Sequence, residues 1–146
     1  MSRPKVTLCM IVKDETHIIE ECLRSMAKYV DRYDITDTGS TDGTQDLIKK
    51  TMDELGVPGT VHQSDWKGFG ASRTEALRNS EKSDAEYAWM IDADDYITGN
   101  FKYPSNMNKD SYSLRLGRPE FMWWRNQIFK LGIGWEYTGV LHEYAH

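Results

Sequence analysis

The first hundred residues alternate between short apolar runs and longer segments in which apolar residues recur every three or four positions. Val6 to Val12 is a continuous apolar run, which is typical of a strand buried on both faces of a parallel sheet. A second such run spans Tyr87 to Ile91, and weaker ones span Tyr33 to Thr36 and Thr60 to His62. This pattern predicts four strands.

The segments between these strands have the spacing of helices. Apolar residues recur at i, i+3 and i+4 from Ile18 to Val30, so we expect an amphipathic helix of about 15 residues. A second apolar face runs from Leu47 to Leu55, and a third helix is expected from Ala71 to Asn79. Because alternating strands and helices form right-handed βαβ units, the sequence predicts an α/β fold with a mostly parallel sheet flanked by helices.

The rest of the chain has a different pattern. Tyr112 to Leu116 and Gln127 to Lys130 alternate between apolar and polar residues, as half-buried strands do, and Val140-Leu141 is predicted as one more short strand. No repeat, low-complexity segment or linker separates the two parts. We therefore expect a single domain, 1–146, in which a lobe of residues 1–100 is followed by a small β-rich lobe of residues 101–146.

Composition narrows the class of protein. The chain has 146 residues, with 39% hydrophobic and 28% charged residues, which is ordinary for a soluble globular domain. Its net charge of −5 argues against nucleic acid as a partner, and its longest apolar run is far too short to span a membrane. Cys9 and Cys22 lie within apolar patterns, so we expect reduced core residues and a cytoplasmic, reducing compartment.

Acidic residues follow three of the predicted strands. They are Asp14-Glu15 after the first strand, Asp37 after the second, and Asp92-Ala93-Asp94-Asp95 after the fourth. Open α/β sheets bind ligands at the carboxyl ends of their strands, and clustered carboxylates require a cation among them. Oxygen ligands suit Mg²⁺ or Mn²⁺, which often completes its shell with substrate phosphates. The sequence therefore suggests a nucleotide diphosphate held through a metal ion.

Each of these charged residues also has a plainer interpretation. Asp14 and Asp42 are equally well explained as helix-capping or loop residues. Solvation explains Asp92 and Asp94 poorly, because they directly follow a buried Trp-Met-Ile run. Arg73 lies near the start of the third helix, where a cation opposes the helix dipole. It indicates an anion nearby, such as a pyrophosphate, unless it is simply a surface arginine.

Five segments carry recognisable motifs, in order along the chain: Met10 to Glu15, Asp37 to Thr44, Gly70 to Arg73, Asp92 to Asp95, and Trp135 to Glu143. Together they resemble the motifs of family 2 glycosyltransferases, which have the GT-A fold. The first resembles the family's opening strand and the second its acid followed by Gly-Ser-x-Asp-Gly-Thr. The third resembles Ala-x-Arg-Asn, the fourth the metal-binding D-x-D, and the fifth the Gly-x-x-His-Glu ending of one subgroup.

The resemblance implies a nucleotide-sugar donor and points to a UDP-sugar. It also assigns residues to the nucleoside end of the site. It implies that Val12, Asp14 and Glu15 lie beside the nucleoside. It implies that Asp37 contacts the base or the ribose and that Arg73 reaches the base or the diphosphate.

The same resemblance assigns the reacting end of the site. It implies that Asp92 and Ala93 line the ribose or diphosphate, and that Asp94 ligates Mn²⁺ or Mg²⁺. It implies that His142 is a further metal or diphosphate contact and that Glu143 is the general base of an inverting transfer. The acceptor stays open among a glycan, a protein and a small molecule.

Two positions depart from the family pattern. Thr38 follows Asp37 where many members have a second acid, which affects the expected contact with the base. Thr74 follows Arg73 where asparagine is common.

Other interpretations of the chain stay open. His142 to His146 fits H-E-x-x-H, which binds zinc when it lies on a helix. The preceding segment, Tyr137 to Leu141, contains glycine and β-branched residues and is a poor helix start, so a zinc protease is the weaker hypothesis. A sugar-phosphate nucleotidyltransferase would need a glycine-rich phosphate loop with a basic residue after the first strand, where only Lys13 is available.

A non-catalytic nucleotide-sugar binding module is the third alternative. Members of the resembling family usually continue beyond the His-Glu pair, so the chain is expected to be either truncated or a natural minimal form. In both cases we expect donor binding to be retained and glycosyl transfer to be weak or absent.

Overall fold

A computed structural model describes residues 3–99, 101–118, 121–138 and 144–145. Strands and helices alternate through the first part of the chain and strands alone follow. The elements are β1 (Val6–Val12), α1 (Ile19–Met26), β2 (Arg32–Asp37), α2 (Thr44–Glu54), β3 (Gly59–Gln63), α3 (Phe69–Ser80), β4 (Tyr87–Met90), β5 (Ser111–Arg118), β6 (Phe121–Lys130), β7 (Tyr137–Thr138) and β8 (Tyr144–Ala145).

One six-stranded sheet organises the described residues, in the order β3-β2-β1-β4-β6-β5. Strands β1 to β4 pair in parallel, whereas β6 runs antiparallel to both β4 and β5. The mostly parallel α/β sheet predicted from the sequence is therefore confirmed. The β5–β6 hairpin extends this main sheet rather than forming a separate one, and β7 and β8 form a small antiparallel ribbon.

The central strand β1 is buried on both faces, as its continuous apolar run predicts. Leu8 and Met10 point into the larger core cluster, which includes residues of α1 and α2. Cys9 points the opposite way and packs in a second cluster with Leu77 of α3 and Phe129 of β6. Helices on both faces therefore shield β1 from water, and its carboxyl end is held at a fixed edge of the sheet.

The first helix is shorter than predicted. The α-helix ends at Met26, a 3₁₀ turn follows at Ala27–Tyr29, and Val30 is already extended, with φ −118° and ψ 157°. Val30 is still buried, so its apolar position was interpreted correctly but its conformation was not. After the 3₁₀ turn the chain joins the sheet, where Asp31 N–H donates to the Val6 carbonyl at 2.9 Å.

The β5–β6 hairpin is longer than the alternating pattern predicts. Met122, Trp123 and Trp124 of β6 are exposed, with Trp124 at 68%. These residues break the alternation of apolar and polar positions, so the sequence pattern did not reveal the full strand. The predicted strand at Val140-Leu141 lies outside the described residues.

The two cysteines, Cys9 and Cys22, are buried and free, as predicted. Burial raises the pKa of each thiol to about 12, so both stay protonated near neutral pH. In the part of the chain that the structure describes, no helix combines the length and the apolar character needed to cross a membrane.

Candidate active site

A cleft of about 430 Å³ opens at the carboxyl ends of the parallel strands, beside the start of α3. Its lining includes six of the residues that the sequence predicts for the site, whereas Asp14 and Asp37 are not among its described lining residues. The residues that line it are Ile11, Val12, Lys13, Glu15, Ile18, Thr38, Trp66, Phe69, Arg73, Asp92, Ala93 and Asp94.

Strand register determines which residues meet at this cleft. Val12, the last residue of β1, pairs with Asp37, the last residue of β2. On the other side of β1, Cys9 pairs with Met90, and Ile91 N–H donates to the Cys9 carbonyl at 3.1 Å. The loops that leave β1, β2 and β4 therefore start side by side at one edge of the sheet.

Asp14 joins the loop after β1 to the loop after β2. Its carboxylate accepts the Thr41 N–H at 2.8 Å, and its own N–H donates to the Ser40 hydroxyl at 2.8 Å. Asp14 itself adopts a positive φ of 53°, which is uncommon for a residue other than glycine. These bonds support the loop-structuring interpretation of Asp14, and its contact with a nucleoside stays a prediction.

Asp42 makes a second link between the same two loops. One of its oxygens accepts the Thr16 hydroxyl at 2.9 Å, and the other accepts the Thr44 N–H at 3.0 Å. Hydrogen bonds from Thr44, and then from Thr16, lower the pKa of Asp42 from its ordinary value of 3.8 to about 2. Thr44 in turn accepts the Glu15 N–H at 2.9 Å, so the backbone of Glu15 is fixed as well.

Asp37 is only 1% exposed and shapes the turn that follows β2. One of its oxygens accepts the N–H groups of Gly39 and Ser40 at 2.9 and 2.8 Å. Burial acts to raise the pKa of this carboxyl, but the hydrogen bonds from Ser40 and Gly39 outweigh it and lower the pKa overall. Asp37 is therefore held as a carboxylate beneath the cleft, next to the lining residue Thr38.

Arg73 and Asp92 form an ion pair on the wall of the cleft. The guanidinium of Arg73 donates to the Asp92 carboxylate at 3.0 Å, and its side chain is 15% exposed against 38% for Asp92. The same guanidinium lies over the rings of Phe69 and Tyr137, at 5.3 and 5.9 Å from their centroids. Contacts with two rings and an ion pair restrict the orientation of the guanidinium at the cleft wall.

Asp92, Asp94 and Asp95 form an acidic cluster in which each offers a carboxylate oxygen within 4.8 Å of the others. Burial, followed by the charges of Asp92 and Asp94, raises the pKa of Asp95. Burial also raises the pKa of Glu15, where Asp94, Asp42 and Asp92 add to the effect and His17 opposes it.

This acidic cluster has the donor set that a hard divalent cation prefers. Opposite ligands of Mg²⁺ are roughly 4 Å apart, which is comparable with the spacing of the cluster oxygens. Asp94 is exposed and lines the cleft. Asp95 was not among the predicted site residues, although its place directly after Asp94 was a visible signal.

Two aromatic residues of the cleft were not among the assigned site residues, although the sequence left open whether Trp66 stacks on a sugar ring or packs within the protein. Trp66 and Phe69 line the cleft, are 44% and 54% exposed, and contact each other edge to face at 4.8 Å. For Phe69 the signal was its place beside Trp66 in a short segment rich in glycine, Trp66 to Gly70.

A second cleft, of about 620 Å³, adjoins the acidic cluster on the side of the β5–β6 hairpin. Asp94 lines both clefts, and Asp95, Tyr96, Trp123 and Gln127 are among the residues that line only the second. The two clefts therefore meet at the exposed carboxylate of the acidic cluster.

The C-terminal segment contacts α3 through β7. Tyr137 N–H donates to the Thr74 hydroxyl at 2.8 Å, so the residue that departs from the family pattern makes this contact. His142 and Glu143 lie outside the described residues, as does His146. Tyr144 and Ala145 form strand β8 rather than a helix, so the described part of the H-E-x-x-H segment lacks the conformation of a helical zinc motif.

Residues 7–139 match the family model for glycosyl transferase family 2. The chain belongs to this family. A TPR repeat-containing protein of Synechococcus elongatus is 33% identical over 94 residues, which cover 64% of this chain and 21% of that protein.

Solved structures of Staphylococcus aureus TarS have a similar fold. Residues 1–349 of TarS in complex with UDP match at 25% identity and a TM-score of 0.53, covering 63% of this chain and 28% of that one. The complex with UDP-GlcNAc matches at the same identity and TM-score, covering 27% of that chain. This chain therefore covers less than a third of the length of each of these matched proteins.

Proposed function

We propose that this chain carries the donor site of a metal-dependent glycosyltransferase that uses a nucleotide-sugar, with UDP as the nucleotide. The observation that carries the proposal is the convergence of Arg73, Asp92 and Asp94 in one cleft at the carboxyl ends of parallel strands. An acidic cluster with the oxygen ligands that a divalent cation prefers, beside the guanidinium of Arg73, suits a diphosphate, whose charge a bound cation and Arg73 would neutralise.

The donor is proposed to lie along the first cleft. Asp94 holds Mn²⁺ or Mg²⁺, with His142 as a further ligand or diphosphate contact, and Arg73 faces the diphosphate. When bound, the metal stabilises the negative charge that develops on the departing diphosphate. Burial raises the pKa of Glu15, and the charges of Asp94 and Asp92 add to that effect. Carboxylates this close to one another support a cation here, because an unpaired group of them is electrostatically unfavourable.

The nucleoside is proposed to lie towards β1 and β2. Val12 and Glu15 line this part of the cleft, and Ala93, which is 5% exposed, forms part of its floor. Asp14 and Asp37 set the shape of the two loops and are proposed to contact the nucleoside through those loops. UDP is proposed because TarS, with a similar fold, is described in complexes with UDP and UDP-GlcNAc.

The acceptor is proposed to approach from the opposite side of Asp94. Residues 101–146 form the acceptor-side lobe of the single domain in this proposal, and residues 1–100 form the donor lobe. Glu143 is proposed as the general base that takes the proton of the acceptor hydroxyl in an inverting displacement. A base must lie on the face of the sugar opposite the leaving group, and the proposal assigns that place to a residue of the acceptor-side lobe.

Isothermal titration calorimetry with UDP, with and without Mn²⁺, tests the donor site directly. We expect UDP to bind in a Mn²⁺-dependent way, and slow release of UDP from a UDP-sugar to accompany it. Binding without any release would favour the non-catalytic binding module. If UDP does not bind in the presence of Mn²⁺, the proposed function is wrong.

A further inference from the structure

Two exposed aromatic rings at the cleft have no role in the donor site as described so far. Trp66 and Phe69 are 44% and 54% exposed and contact each other at 4.8 Å. A single exposed aromatic residue is normal on a protein surface, but two rings in contact at the wall of a cleft provide a ready surface for a flat ligand group.

The backbone under these rings is well ordered by hydrogen bonds. Lys67 N–H donates to the Ser72 hydroxyl at 3.1 Å, and Ser72 N–H donates to the Gly68 carbonyl at 2.9 Å. Gly68 has φ +90°, which residues with a side chain rarely adopt. Lys67 also forms an ion pair with Glu75 of α3. The two rings are therefore presented to the cleft by a fixed turn.

The wall of the cleft continues from these rings to the acidic cluster. Trp66 contacts Phe69, the Arg73 guanidinium lies 5.3 Å from the Phe69 ring, and Arg73 is hydrogen-bonded to Asp92 at 3.0 Å. The aromatic surface of Trp66 and Phe69, the Arg73 cation and the carboxylates of the acidic cluster thus follow one another along the wall of the cleft. A nucleoside diphosphate bound to a metal presents its groups in the corresponding order, which is base, diphosphate and metal.

The sheet order indicates which end of the donor faces the rings. Trp66 follows β3 at one edge of the sheet, whereas the acidic cluster follows β4, and β2 and β1 lie between them. The strands β3 and β4 are therefore three strand spacings apart, which is about 14 Å. The second cleft opens from Asp94 in the opposite direction, towards β6 and β5. With the sugar and the acceptor on that side, as the proposed function has them, the nucleoside is expected on the side of Trp66.

The geometry points to Trp66 and Phe69 as the stacking site for the base of the nucleotide donor. This inference rests on the proposed function and adds to it the residues that hold the base. Stacking against an aromatic side chain needs only the flat face of a base, so these rings contribute affinity without distinguishing one base from another.

Tryptophan fluorescence and calorimetric titration with uridine and with UDP, in the presence of Mn²⁺, test the inference. We expect both ligands to quench the wild-type emission, and Trp66→Ala to abolish most of that quenching. We expect Trp66→Ala and Phe69→Ala each to weaken UDP binding by about 5- to 100-fold, and Trp66→Phe to restore much of the affinity.

Trp124→Ala is the matched control, since Trp124 is 68% exposed and is not among the described residues that line either cleft. It should bind UDP as the wild type does. Far-UV circular dichroism and thermal melting should be unchanged in all of these variants, because the substituted side chains are exposed.

Two results would overturn the inference and leave the proposed function standing. One is wild-type affinity of Trp66→Ala and Phe69→Ala for UDP. The other is a loss of affinity for UDP-sugar with no loss for uridine or UDP, which would mean that the rings contact the sugar. Failure of the wild-type chain to bind UDP would instead refute the proposed function itself, and the inference with it.

Discussion

The guanidinium of Arg73 on α3 donates a hydrogen bond of 3.0 Å to the carboxylate of Asp92, the first residue after the apolar run of β4. This ion pair joins the helix to the edge of the sheet where the strand loops converge. It also positions a cation next to the acidic cluster without neutralising it, because Asp94 and Asp95 lie in the same cluster. The pair therefore links the two charged parts of the proposed diphosphate site.

Replacing Arg73 with methionine should weaken UDP binding more than it weakens the fold. Loss of a charge-assisted contact to the diphosphate is expected to reduce the affinity by about 10- to 100-fold. The free energy of unfolding should change by less than about 1 kcal/mol, because the Asp92 side chain is 38% exposed to solvent. Calorimetric titration with UDP and urea denaturation measure the two effects.

Arg24→Met is the control for Arg73→Met, because it removes the same charge from α1, where Arg24 pairs with the exposed residues Glu20 and Glu54. UDP affinity should be unchanged in this control. Equal losses of affinity in the two variants would show that net charge alone, and not the position of Arg73, governs binding.

Replacing Asp94 with asparagine should remove the metal dependence of donor binding. The variant keeps the shape of the side chain but lacks the exposed charge of the acidic cluster. Mn²⁺ should therefore no longer strengthen UDP binding, and it should no longer raise the melting temperature of the protein in the presence of UDP. Thermal melting with UDP and a series of Mn²⁺ concentrations is the measurement.

The matched control for the metal experiment is Asp84→Asn. Asp84 precedes β4 at the amino ends of the parallel strands, away from the cleft, where it pairs with Lys5. Its loss should leave the response to Mn²⁺ intact. An undiminished Mn²⁺ response in Asp94→Asn would contradict the assignment of Asp94 as a ligand.

Asp42 should stabilise the fold in a pH-dependent way. Its folded-state pKa of about 2 lies below its ordinary value of 3.8, so its contribution is present above pH 3.8 and is lost as the pH falls towards 2. Asp42→Asn should therefore be less stable than the wild type at pH 7, and the difference should narrow as the pH drops below about 4. Urea denaturation at several pH values measures this difference.

Asp53→Asn is the comparison for the acid series, because Asp53 lies exposed near the other end of α2. The stability difference between Asp53→Asn and the wild type should not narrow in this way as the pH falls. A constant stability difference between Asp42→Asn and the wild type from pH 7 to pH 3 would refute the role of the Asp42 charge.

Thr74 should stabilise the attachment of β7 to α3. Its hydroxyl accepts the Tyr137 N–H at 2.8 Å and donates to the Gly70 carbonyl at 2.9 Å. Thr74→Val keeps the shape but leaves the Tyr137 N–H without this partner, so we expect a loss of about 1–2 kcal/mol in unfolding free energy. Amide exchange at Tyr137 should accelerate in Thr74→Val and stay slow in Thr74→Ser, and equal exchange in both would exclude the hydroxyl as the cause.

Glu143→Gln should affect turnover and not donor binding, if Glu143 is the general base. Loss of a positioned base is expected to slow the release of UDP from a UDP-sugar by about 100-fold or more. Affinity for UDP should be unchanged, and His146→Ala should alter neither quantity. Loss of a bound metal in His146→Ala would instead support the zinc-site hypothesis for the H-E-x-x-H segment.

The sequence predicted the position of the cleft better than it predicted which residues line it. Acids that follow apolar runs in parallel strands must meet at one edge, because the chain direction at each strand end is the same. Asp92 and Asp94 could be placed on this basis alone, whereas Arg73 was expected near an anion because of its place at the start of α3. The roles of Asp14 and Asp42 could not be decided, since the residue types that hold loops together are also those that contact ligands.

The pattern of apolar positions by itself determined the order of strands and helices through the first hundred residues, the burial of β1 on both faces, and the edge of the sheet that carries the acids. Only the tertiary structure decided the early end of α1, the joining of the β5–β6 hairpin to β4, and the presence of Trp66 and Phe69 at the cleft. Burial periodicity is a local property that a single segment encodes. Strand partners and the wall of a cleft depend on contacts between distant segments, which no single stretch of sequence records.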